Sequence, residues 1–383
     1  MKTATLSEIV ETWGGLIQTG PFGSQLHQHE YSEEGIPVVM PKDIRNGRVD
    51  ESSIARVPET KANQLSRHFL KAGSVVFPRR GEIGKCAYVS EDQAGFLCGT
   101  GCIKIEPPEE KLRSKFLFYF LNLRQSVEWL ERNAIGTTML NLNTKILGNL
   151  QIPLLEPKKQ DEIVDLLSAY DDLIENNRRR IALLEQAAQL LYKEWFVHLR
   201  FPGHEHTKII NGVPEGWERK TLGDVAPLKY GKALKEDDRI PGAFPVYGSS
   251  GIVGTHAKAF VPGPTIIVGR KGNVGSVYWS STDCHPIDTV YYIDSELCSF
   301  FLYYALQQMS FISTDVAVPG LNRDFAHSRS ILIADQKTFR LFEETVWPIH
   351  QQMDLLKRQN TSLSHARDLL LPKLMSGEVA VAV

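Results

Sequence analysis

Apolar residues recur every three or four positions along two long stretches of the chain, residues 158–201 and 334–377. This spacing places them on one face of a helix, and a repeat that averages 3.5 residues lets two helices wrap around each other. At about 1.5 Å of rise per residue, each stretch predicts a rod of roughly 60 Å. The sequence therefore predicts two long helices, and the simplest partner for each is the other.

The apolar face of each predicted helix has a polar interruption near its middle. In the first helix the face contains Ile163, Leu166, Tyr170, Leu173, Asn177, Ile181, Leu184, Ala188, Leu191 and Trp195. In the second it contains Phe339, Phe342, Val346, Ile349, Met353, Leu356, Asn360, Leu363, Arg367 and Leu370. Because one buried polar residue often fixes the register of a helix pair, we predict that Asn177 and Asn360 lie in one layer. Pro372 predicts an end or a kink of the second helix, and Gly377 is a candidate stop.

Each predicted helix follows a block of short apolar strands and glycine-rich turns, residues 1–157 and 202–333. Signals from the first block return in the second in the same order. Leu6-Ser-Glu-Ile-Val returns as Leu222-Gly-Asp-Val, the Gly73–Gly84 unit returns as Gly263–Gly275, and the predicted helix Lys115–Trp129 returns as Ser299–Gln308. The offset between the copies falls from 216 to 191, so the first block carries about 25 additional residues.

This internal repeat defines the fold class. We expect an α+β protein with two similar mixed α/β domains, separated by two long helices and related by a pseudo-twofold repeat. The predicted boundaries are 1–157 for the first domain, 158–201 for the first helix, 202–333 for the second domain and 334–377 for the second helix. Residues 378–383 form a tail.

The composition adds limits rather than a function. A hydrophobic fraction of 42% and a net charge of -2 are ordinary for a globular protein, so DNA binding would depend on local basic patches. The five cysteines form no Cys-x-x-Cys pair, which favours reduced thiols in a cytoplasmic protein and argues against zinc. We expect no metal site, no signal peptide and no membrane span.

Three motifs resemble the specificity subunit of type I restriction-modification systems. The stretch 163–205, IVDLLSAYDDLIENNRRRIALLEQAAQLLYKEWFVHLRFPGHE, resembles the family's central conserved helix and the exit from it. VPEGWERKTLGDV at 213–225 resembles the start of a second target recognition domain, and RDLLLPKLMSGEV at 367–379 resembles the C-terminal conserved helix. The first domain lacks the Pro-x-Gly-Trp entry and starts almost directly at Leu6.

The resemblance implies a non-catalytic DNA-binding subunit of a restriction system. Each target recognition domain would read one half of a bipartite double-stranded DNA site. The two helices, packed as an antiparallel coiled coil, would set the spacer and dock the methyltransferase (modification) subunits, two of them, which restriction endonuclease subunits join. S-adenosylmethionine, ATP and magnesium would belong to those partners, with no cofactor bound by this chain.

Basic residues on turns are the candidate DNA contacts. Arg79-Arg80 and Arg270-Lys271 each precede a Gly-x-[Ile/Val]-Gly turn, where long cationic side chains can reach phosphates or a guanine edge. The repetition is equally consistent with a purely structural turn. Further candidates lie on polar loops of the two domains: Lys42, Arg45, Lys232, Lys235 and Arg323.

Two alternatives stay open at this stage. A coiled-coil adaptor without sequence-specific DNA binding would have the same helices. A metal-dependent nuclease would use acidic residues and a lysine, and Asp50, Glu59 and Lys61 fit that loose pattern. Methyltransferase and P-loop motifs are absent from the sequence, which argues against catalysis of methyl transfer or ATP hydrolysis by this chain.

Overall fold

The protein is described by a computed structural model that covers residues 2–136, 140–311 and 320–379. The chain divides into two compact units, Met1–Ile174 with Thr361–Val383, and Glu175–Asn360. Each long helix therefore begins in one unit and ends in the other. Residues 380–383 of the predicted tail lie outside the described residues.

The first unit contains the first domain, which we define as the strands and helices between residues 3 and 153. Its elements are β1 (Thr3–Thr5), α1 (Leu6–Trp13), β2 (Leu16–Thr19), β3 (Ile36–Val39), β4 (Ile44–Arg45), β5 (Arg48–Val49), β6 (Ala55–Val57), α2 (Glu59–Gln64), β7 (Val75–Pro78), β8 (Ala87–Tyr88), β9 (Leu97–Cys98), β10 (Cys102–Glu106), α3 (Ser114–Leu121), α4 (Arg124–Asn133), α5 (Thr144–Gly148) and β11 (Gln151–Pro153). An antiparallel sheet has the order β2-β10-β7-β8, and a smaller sheet has the order β6-β3-β9 with β3 and β9 parallel. β1 pairs with β11, and β4 with β5.

The second unit contains the second domain, residues 218–333, preceded by the hairpin of β12 (Ile209–Ile210) and β13 (Val213–Pro214). The first long helix, α6 (Pro157–Tyr192), leads into this unit. The remaining elements are β14 (Glu218–Thr221), α7 (Leu222–Val225), β15 (Lys229–Tyr230), β16 (Phe244–Gly248), β17 (Gly251–His256), β18 (Thr265–Gly269), β19 (Val277–Ser280), β20 (His285–Pro286), β21 (Val290–Ile293), α8 (Phe300–Gln308), α9 (Arg323–His327), β22 (Ser330–Ile333) and the second long helix α10 (Gln336–Ser376).

The two domains order their strands identically. The second domain has the sheets β15-β21-β18-β19 and β17-β16-β20, and β14 pairs with β22 as β1 pairs with β11. The parallel pair recurs as β16 with β20. The predicted internal repeat and the mixed α/β fold class are confirmed.

Equivalent side chains begin equivalent elements in the two domains. Thr5 and Thr221 each accept a hydrogen bond from the backbone N–H three residues on, at the start of α1 and α7. Asn143 and Asn322 do the same at the start of α5 and α9. Such caps satisfy N–H groups that a helix leaves unpaired. The local sequence therefore sets the start of each of these helices in the same way in both domains.

In the second unit the long helices run antiparallel around an aromatic cluster. Asn177 Nδ2 donates to Asn360 Oδ1 at 3.0 Å, and the ring centroids of Tyr192 and Phe342 lie 6.0 Å apart. Residues later in α6 therefore contact residues earlier in α10, which makes the two helices antiparallel. The α-helical part of α6 ends at Tyr192 and continues as a π-helical turn, Lys193–Val197. The two asparagines that interrupt the predicted faces are thus in direct contact.

In the first unit the long helices meet through both apolar and charged side chains. Ile163 and Leu167 of α6 share a buried cluster with Leu371 and Leu374 of α10. Arg367 Nη1 donates to Asp171 Oδ1 at 2.5 Å, and the pair joins the two helices beside that cluster.

The predicted helix faces are correct in period but wrong at one position of α6, Leu173. The predicted residues that are buried are Ile163, Asn177, Phe342, Val346, Met353 and Leu356; those partly buried are Leu166, Leu184, Leu191, Ile349, Asn360 and Leu363. Leu173 is 52% exposed, which contradicts its assignment to the seam. Leu167 and Ile174 are buried instead, because the seven-residue repeat through Gln160, Leu167 and Ile174 runs one residue later than the predicted face.

One further prediction, the extent of a domain helix, is wrong, and the predictions for the end of α10 are correct in part. The single helix predicted over Lys115–Trp129 is two helices, α3 and α4, because Leu123 adopts an extended conformation between them. Asn122 stabilises the break by donating its side-chain N–H to the carbonyl of Phe118 at 2.8 Å. Pro372, predicted to end or kink α10, does not end it, because the helix continues to Ser376. The helix stops before the predicted candidate Gly377, which has a φ of 78°.

Candidate nucleic-acid interface

The basic turn of the first domain, Arg79–Gly84, lies at the end of β7 and leads back to β8. The backbone of Arg79 is fixed on both sides: its N–H donates to the Gly101 carbonyl at 2.6 Å, and its carbonyl accepts from Leu142 N–H at 2.8 Å. Gly81 adopts a φ of 81°, a conformation that glycine reaches without steric cost. The turn is therefore rigid in its backbone while Arg80 stays exposed.

Four cationic side chains of the first domain surround one open cleft of about 320 Å³, which we call the basic cleft. Lys42, Arg45 and Lys85 line its main part, and Arg80 lines an adjoining pocket. The structure thus brings the candidate Arg80 beside the candidates Arg45 and Lys42, which precede it by 35 and 38 residues in sequence. It adds Lys85, which was not a candidate. Glu82 is the acidic residue in the lining.

The cations of the basic cleft have partners that nucleic acid could replace. Arg45 lies 3.2 Å from Asp50, Lys42 lies 3.3 Å from Asp43, and Lys85 pairs with Glu82. Asp43 is buried and also accepts a hydrogen bond from Met40 N–H at 2.9 Å, so its pair with Lys42 is not an ordinary surface pair. The pairs of Arg45 with Asp50 and of Lys85 with Glu82 are open to solvent, so each contributes little to stability in water. Exchanging such a carboxylate for a phosphate oxygen therefore has a low energetic cost.

In the second domain, Arg270 occupies the position of Arg79. Arg270 N–H donates to the Thr289 carbonyl at 2.9 Å, and the Arg270 carbonyl accepts from Leu321 N–H at 2.8 Å, as at Arg79. Its guanidinium lies 5.0 Å from the ring centroid of Tyr230 and 5.8 Å from that of Tyr291. Arg270 Nη1 also donates to the Asp288 carbonyl at 3.0 Å, so the side chain is held in place.

Tyr230 links two of the candidate arginines. It is 47% exposed, and the guanidinium of Arg323 lies 5.2 Å from its ring centroid. Cation–π contacts of this kind order an arginine without occupying its hydrogen-bond donors. Arg270, Tyr230 and Arg323 therefore form one exposed group from three separate segments of the chain.

The other candidates of the second domain lie in different surroundings. Lys271 is exposed and its backbone bridges to Gly320, as Arg80 bridges to Asn141. Lys232 lies 5.8 Å from the ring of Phe260. Lys235 is exposed but precedes three consecutive acids, Glu236–Asp238, which offset its charge.

Some residues of this surface were missed by the sequence reasoning. Phe22 is 53% exposed and lies beneath the guanidinium of Arg79, 5.9 Å from its Cζ. Tyr230 plays the corresponding part in the second domain. An exposed aromatic beside a glycine, as in Gly20-Pro-Phe22 and Tyr230-Gly231, was the available signal.

The cysteines are unreactive and do not contribute to the candidate interface of either domain. All five are free thiols, and burial raises the pKa of Cys86, Cys98 and Cys298 to about 12. A thiol with a raised pKa stays protonated and unreactive at neutral pH. Within the described ranges, no helix has the length and apolar character needed to cross a membrane.

Each half of the repeat thus presents an arginine with a fixed backbone, an exposed aromatic side chain and further cations at the equivalent edge of its sheet. These are the features of a protein that contacts a polyanion at two places. The family model described as "Type I restriction modification DNA specificity domain" matches residues 2–186 and 214–325. The chain belongs to this family.

Individual relatives agree with this assignment. The chain is 24% identical to the type I restriction enzyme MjaIX specificity subunit of Methanocaldococcus jannaschii, over 92% of this chain and 88% of that one. It is 22% identical to the HindI specificity subunit of Haemophilus influenzae, over 88% and 93%. The crystal structure of a type I S subunit from M. genitalium superposes with a TM-score of 0.52 at 21% identity, covering 97% of this chain and 95% of that one, and shows a shared fold.

Proposed function

We propose that this chain is the DNA-specificity subunit of a type I restriction-modification complex and that each domain reads one half of a bipartite site. The observation that carries the proposal is the repeat of the basic turn: Arg79 and Arg270 are held by equivalent backbone hydrogen bonds at the same point of two identically ordered sheets. A repeated scaffold with different surface side chains suits two different half-sites.

The long helices support a second part of the proposal, that they set the spacer between the half-sites. α6 contains 36 residues and α10 contains 41, and each is helical from one unit into the other. DNA repeats every 10–10.5 base pairs, so the separation of two reading domains selects a spacer length. Inserting one helical turn in α6 should change the spacer and leave both half-motifs unaltered.

We further propose that partner subunits supply the chemistry. Two methyltransferase subunits would dock on the long helices, restriction endonuclease subunits would join them in the cytoplasm, and S-adenosylmethionine, ATP and magnesium would be bound by those partners. This chain would select the site without catalysing a reaction.

The nuclease alternative is not favoured by the contacts of its three residues. Lys61 Nζ pairs with Glu30 at 2.7 Å, and Asp50 pairs with Arg45 at 3.2 Å, while Glu59 starts α2. In the part of the chain that the structure describes, no three acidic, histidine or cysteine side chains are grouped for a metal ion. The following experiment distinguishes the adaptor alternative from our proposal.

The test is methylome sequencing of cells that express the chain with its modification subunits. We expect a split motif, and we expect that exchanging residues 201–333 for the equivalent domain of a relative changes one half-motif only. If both halves changed together, the two domains would not read independently. A complex that binds all DNA sequences equally would instead favour the adaptor.

A further inference from the structure

Three residues that belong to the basic turn of the first domain, or to the segments paired with it, each contain a buried polar atom without a partner. They are Arg79 Nε, Thr100 Oγ1 and Asn141 Oδ1, which lack a hydrogen bond to any residue in the ranges 2–136, 140–311 and 320–379. Buried polar atoms in folded proteins are nearly always paired, and an unpaired one is costly. Three together at one turn therefore call for an explanation beyond packing.

Backbone pairing is what brings these residues together. Arg79 N–H donates to the carbonyl of Gly101, the residue after Thr100, at 2.6 Å. On the other side, Arg80 and Asn141 form an antiparallel bridge, and Leu142 N–H donates to the Arg79 carbonyl at 2.8 Å. Three segments that are distant in sequence thus place one polar side chain each beside the same turn.

The chemistry of the three atoms distinguishes between possible ligands. Arg79 Nε is a donor, Asn141 Oδ1 is an acceptor, and a threonine hydroxyl can act as either. A phosphate oxygen only accepts hydrogen bonds, so it would leave Asn141 Oδ1 unpaired. The major-groove edge of a base pair offers hydrogen-bond donors and acceptors together, so it can pair with both the donor and the acceptor atoms of these three residues.

We propose that Arg79, Thr100 and Asn141 form the subsite with which the first domain reads one base pair of its half-site. This inference rests on the DNA-reading role proposed above and assigns it to particular atoms. The three residues are partly exposed although the unpaired atoms themselves are buried, so a base pair would be reached by reorienting the side chains. Reorientation of exposed side chains takes picoseconds to nanoseconds, which is fast compared with DNA association.

The basic cleft beside this subsite would contact the DNA backbone and not the bases. Lys42, Arg45, Arg80 and Lys85 present only donors, and they suit phosphate oxygens, which position a protein on the duplex without reading its sequence. Base reading and backbone contact are therefore divided between a partly buried mixed set and an exposed cationic set.

The second domain carries different side chains at the same three positions. The register of the backbone hydrogen bonds makes Arg270 equivalent to Arg79, Asp288 to Thr100, and Gly320 to Asn141. There the arginine is already held by Tyr230, Tyr291 and the Asp288 carbonyl. The same positions would thus read a different base pair, as expected of two different half-sites.

The experiment measures base preference at every position of the site. Complexes of the chain with its modification subunits would be selected on a randomised DNA library at two salt concentrations, for the wild type, Asn141→Ala and Thr100→Val. We expect both variants to relax the same single position of the half-site that the 201–333 exchange leaves unchanged, by about 10-fold to 100-fold. All other positions and the salt dependence should keep their wild-type values.

Lys85→Ala is the matched control from the basic cleft. It should weaken binding to all sequences alike and lower the slope of log K against log salt by about 1. The subsite is overturned if Asn141→Ala and Thr100→Val, with wild-type melting temperatures, leave every base preference unchanged or behave like Lys85→Ala. Thr100→Val preserves shape, so it separates loss of reading from loss of folding. A wild-type complex that selects no split motif would overturn the proposed function together with this subsite.

Discussion

The first and second domains contain the same strand orders, the same caps and the same backbone pairing at the basic turn, yet their side chains meet the long helices and the solvent differently. Tyr119 of α3 donates its hydroxyl to Asp171 Oδ2 of α6 at 2.6 Å. In the second domain the hydroxyl of Tyr304 lies 2.8 Å from His350 Nε2 of α10. The contact between a domain helix and a long helix is thus retained while its chemistry changes from carboxylate to imidazole.

The numbering shows that these contacts are equivalent. The offset between the copies is 179 at Asn143 and Asn322, and it is still 179 at the first residues of α6 and α10. Asp171 and His350 are also 179 residues apart. The position of the contact between each domain and its long helix is therefore shared, although the residue on the long helix differs.

The additional residues of the first domain lie mainly at that edge. The offset is 216 at Leu6 and Leu222, 208 at Val38 and Val246, and 191 at Arg79 and Arg270, so most of the extra length falls between β3 and β7. This segment forms β4, β5 and α2, and its residues Lys42 and Arg45 line the basic cleft. The segment in which the two domains differ most in length thus contributes two cations to the basic cleft.

Among substitutions that test this difference between the two units, the largest loss of stability is expected at the aromatic cluster of the second unit. Phe342 is fully buried against Trp195 and Phe196, with ring centroids at 5.7 and 4.9 Å. Phe342→Ala should lower the free energy of unfolding by about 3–5 kcal/mol. Hydrogen exchange resolved by segment should show the loss in Glu175–Asn360. The equivalent Ile163→Val should cost only about 0.5–1.5 kcal/mol, in the first unit; equal losses would contradict the assignment.

A smaller effect is expected at the tyrosine that anchors the first domain. Tyr119→Phe removes a hydrogen bond to the Asp171 carboxylate and should cost about 1.5–3 kcal/mol, because bonds to charged groups are the stronger ones. Tyr304→Phe removes a bond to a neutral ring and should cost about 0.5–1.5 kcal/mol. Chemical denaturation of both variants measures the difference. The reverse order would indicate that the carboxylate is solvated once the hydroxyl is lost.

His350 makes the second unit sensitive to acid. Burial, with a smaller contribution from Lys357, lowers the pKa of His350 from 6.5 to about 3. Between these values the unfolded chain binds a proton that the folded chain does not, so stability falls as pH drops from 6.5. By pH 5 the loss is about 2 kcal/mol.

The variant His350→Gln isolates this contribution because it keeps an acceptor for Tyr304 and removes the titration. We expect its free energy of unfolding to change less between pH 6.5 and 5 than that of the wild type, by about 2 kcal/mol. His365→Gln, at an exposed position of α10, is the matched control. Parallel pH profiles of wild type and His350→Gln would mean that the pKa of His350 is the same in the folded and unfolded states.

The smallest effect is expected at the asparagine pair of the long helices. A double-mutant cycle of Asn177→Leu and Asn360→Leu should give a coupling energy of about 0.5–1.5 kcal/mol, the usual net value of a neutral hydrogen bond. Methylome sequencing of the double variant would test the second role of the pair, the register. We expect the spacer of the split motif to become mixed, and an unchanged single spacer would show that other contacts fix the register.

The sequence allowed prediction of the repeat, the long helices and the asparagine layer because each depends on local periodicity or on spacing within one helix. It misplaced Leu173 because Leu166-Leu167 and Leu173-Ile174 are apolar doublets, in which either member could face the partner. The break at Leu123 carries no glycine or proline and depends on local hydrogen bonds.

The candidate interface was predictable only in part, and for a related reason. The basic turns are continuous in sequence, so their four cations could be named. Thr100 and Asn141 join the turn through strand pairing over 20 and more residues, and an ordinary threonine and asparagine give no signal of their own. The placement of Tyr230 between two arginines is likewise a product of tertiary structure.

The first unit is assembled from both ends of the chain, and this has a consequence for its synthesis. Leu371, Leu374 and Met375 belong to the same buried cluster as Leu6 and Ile9. At about 5–20 residues per second, the ribosome needs roughly 10–40 s to make the segment 175–360 that separates the two parts. During that interval the cluster that contains Leu6 and Ile9 lacks the three side chains that α10 contributes to it. A chain released before residue 371 would therefore lack part of the apolar core of its first unit.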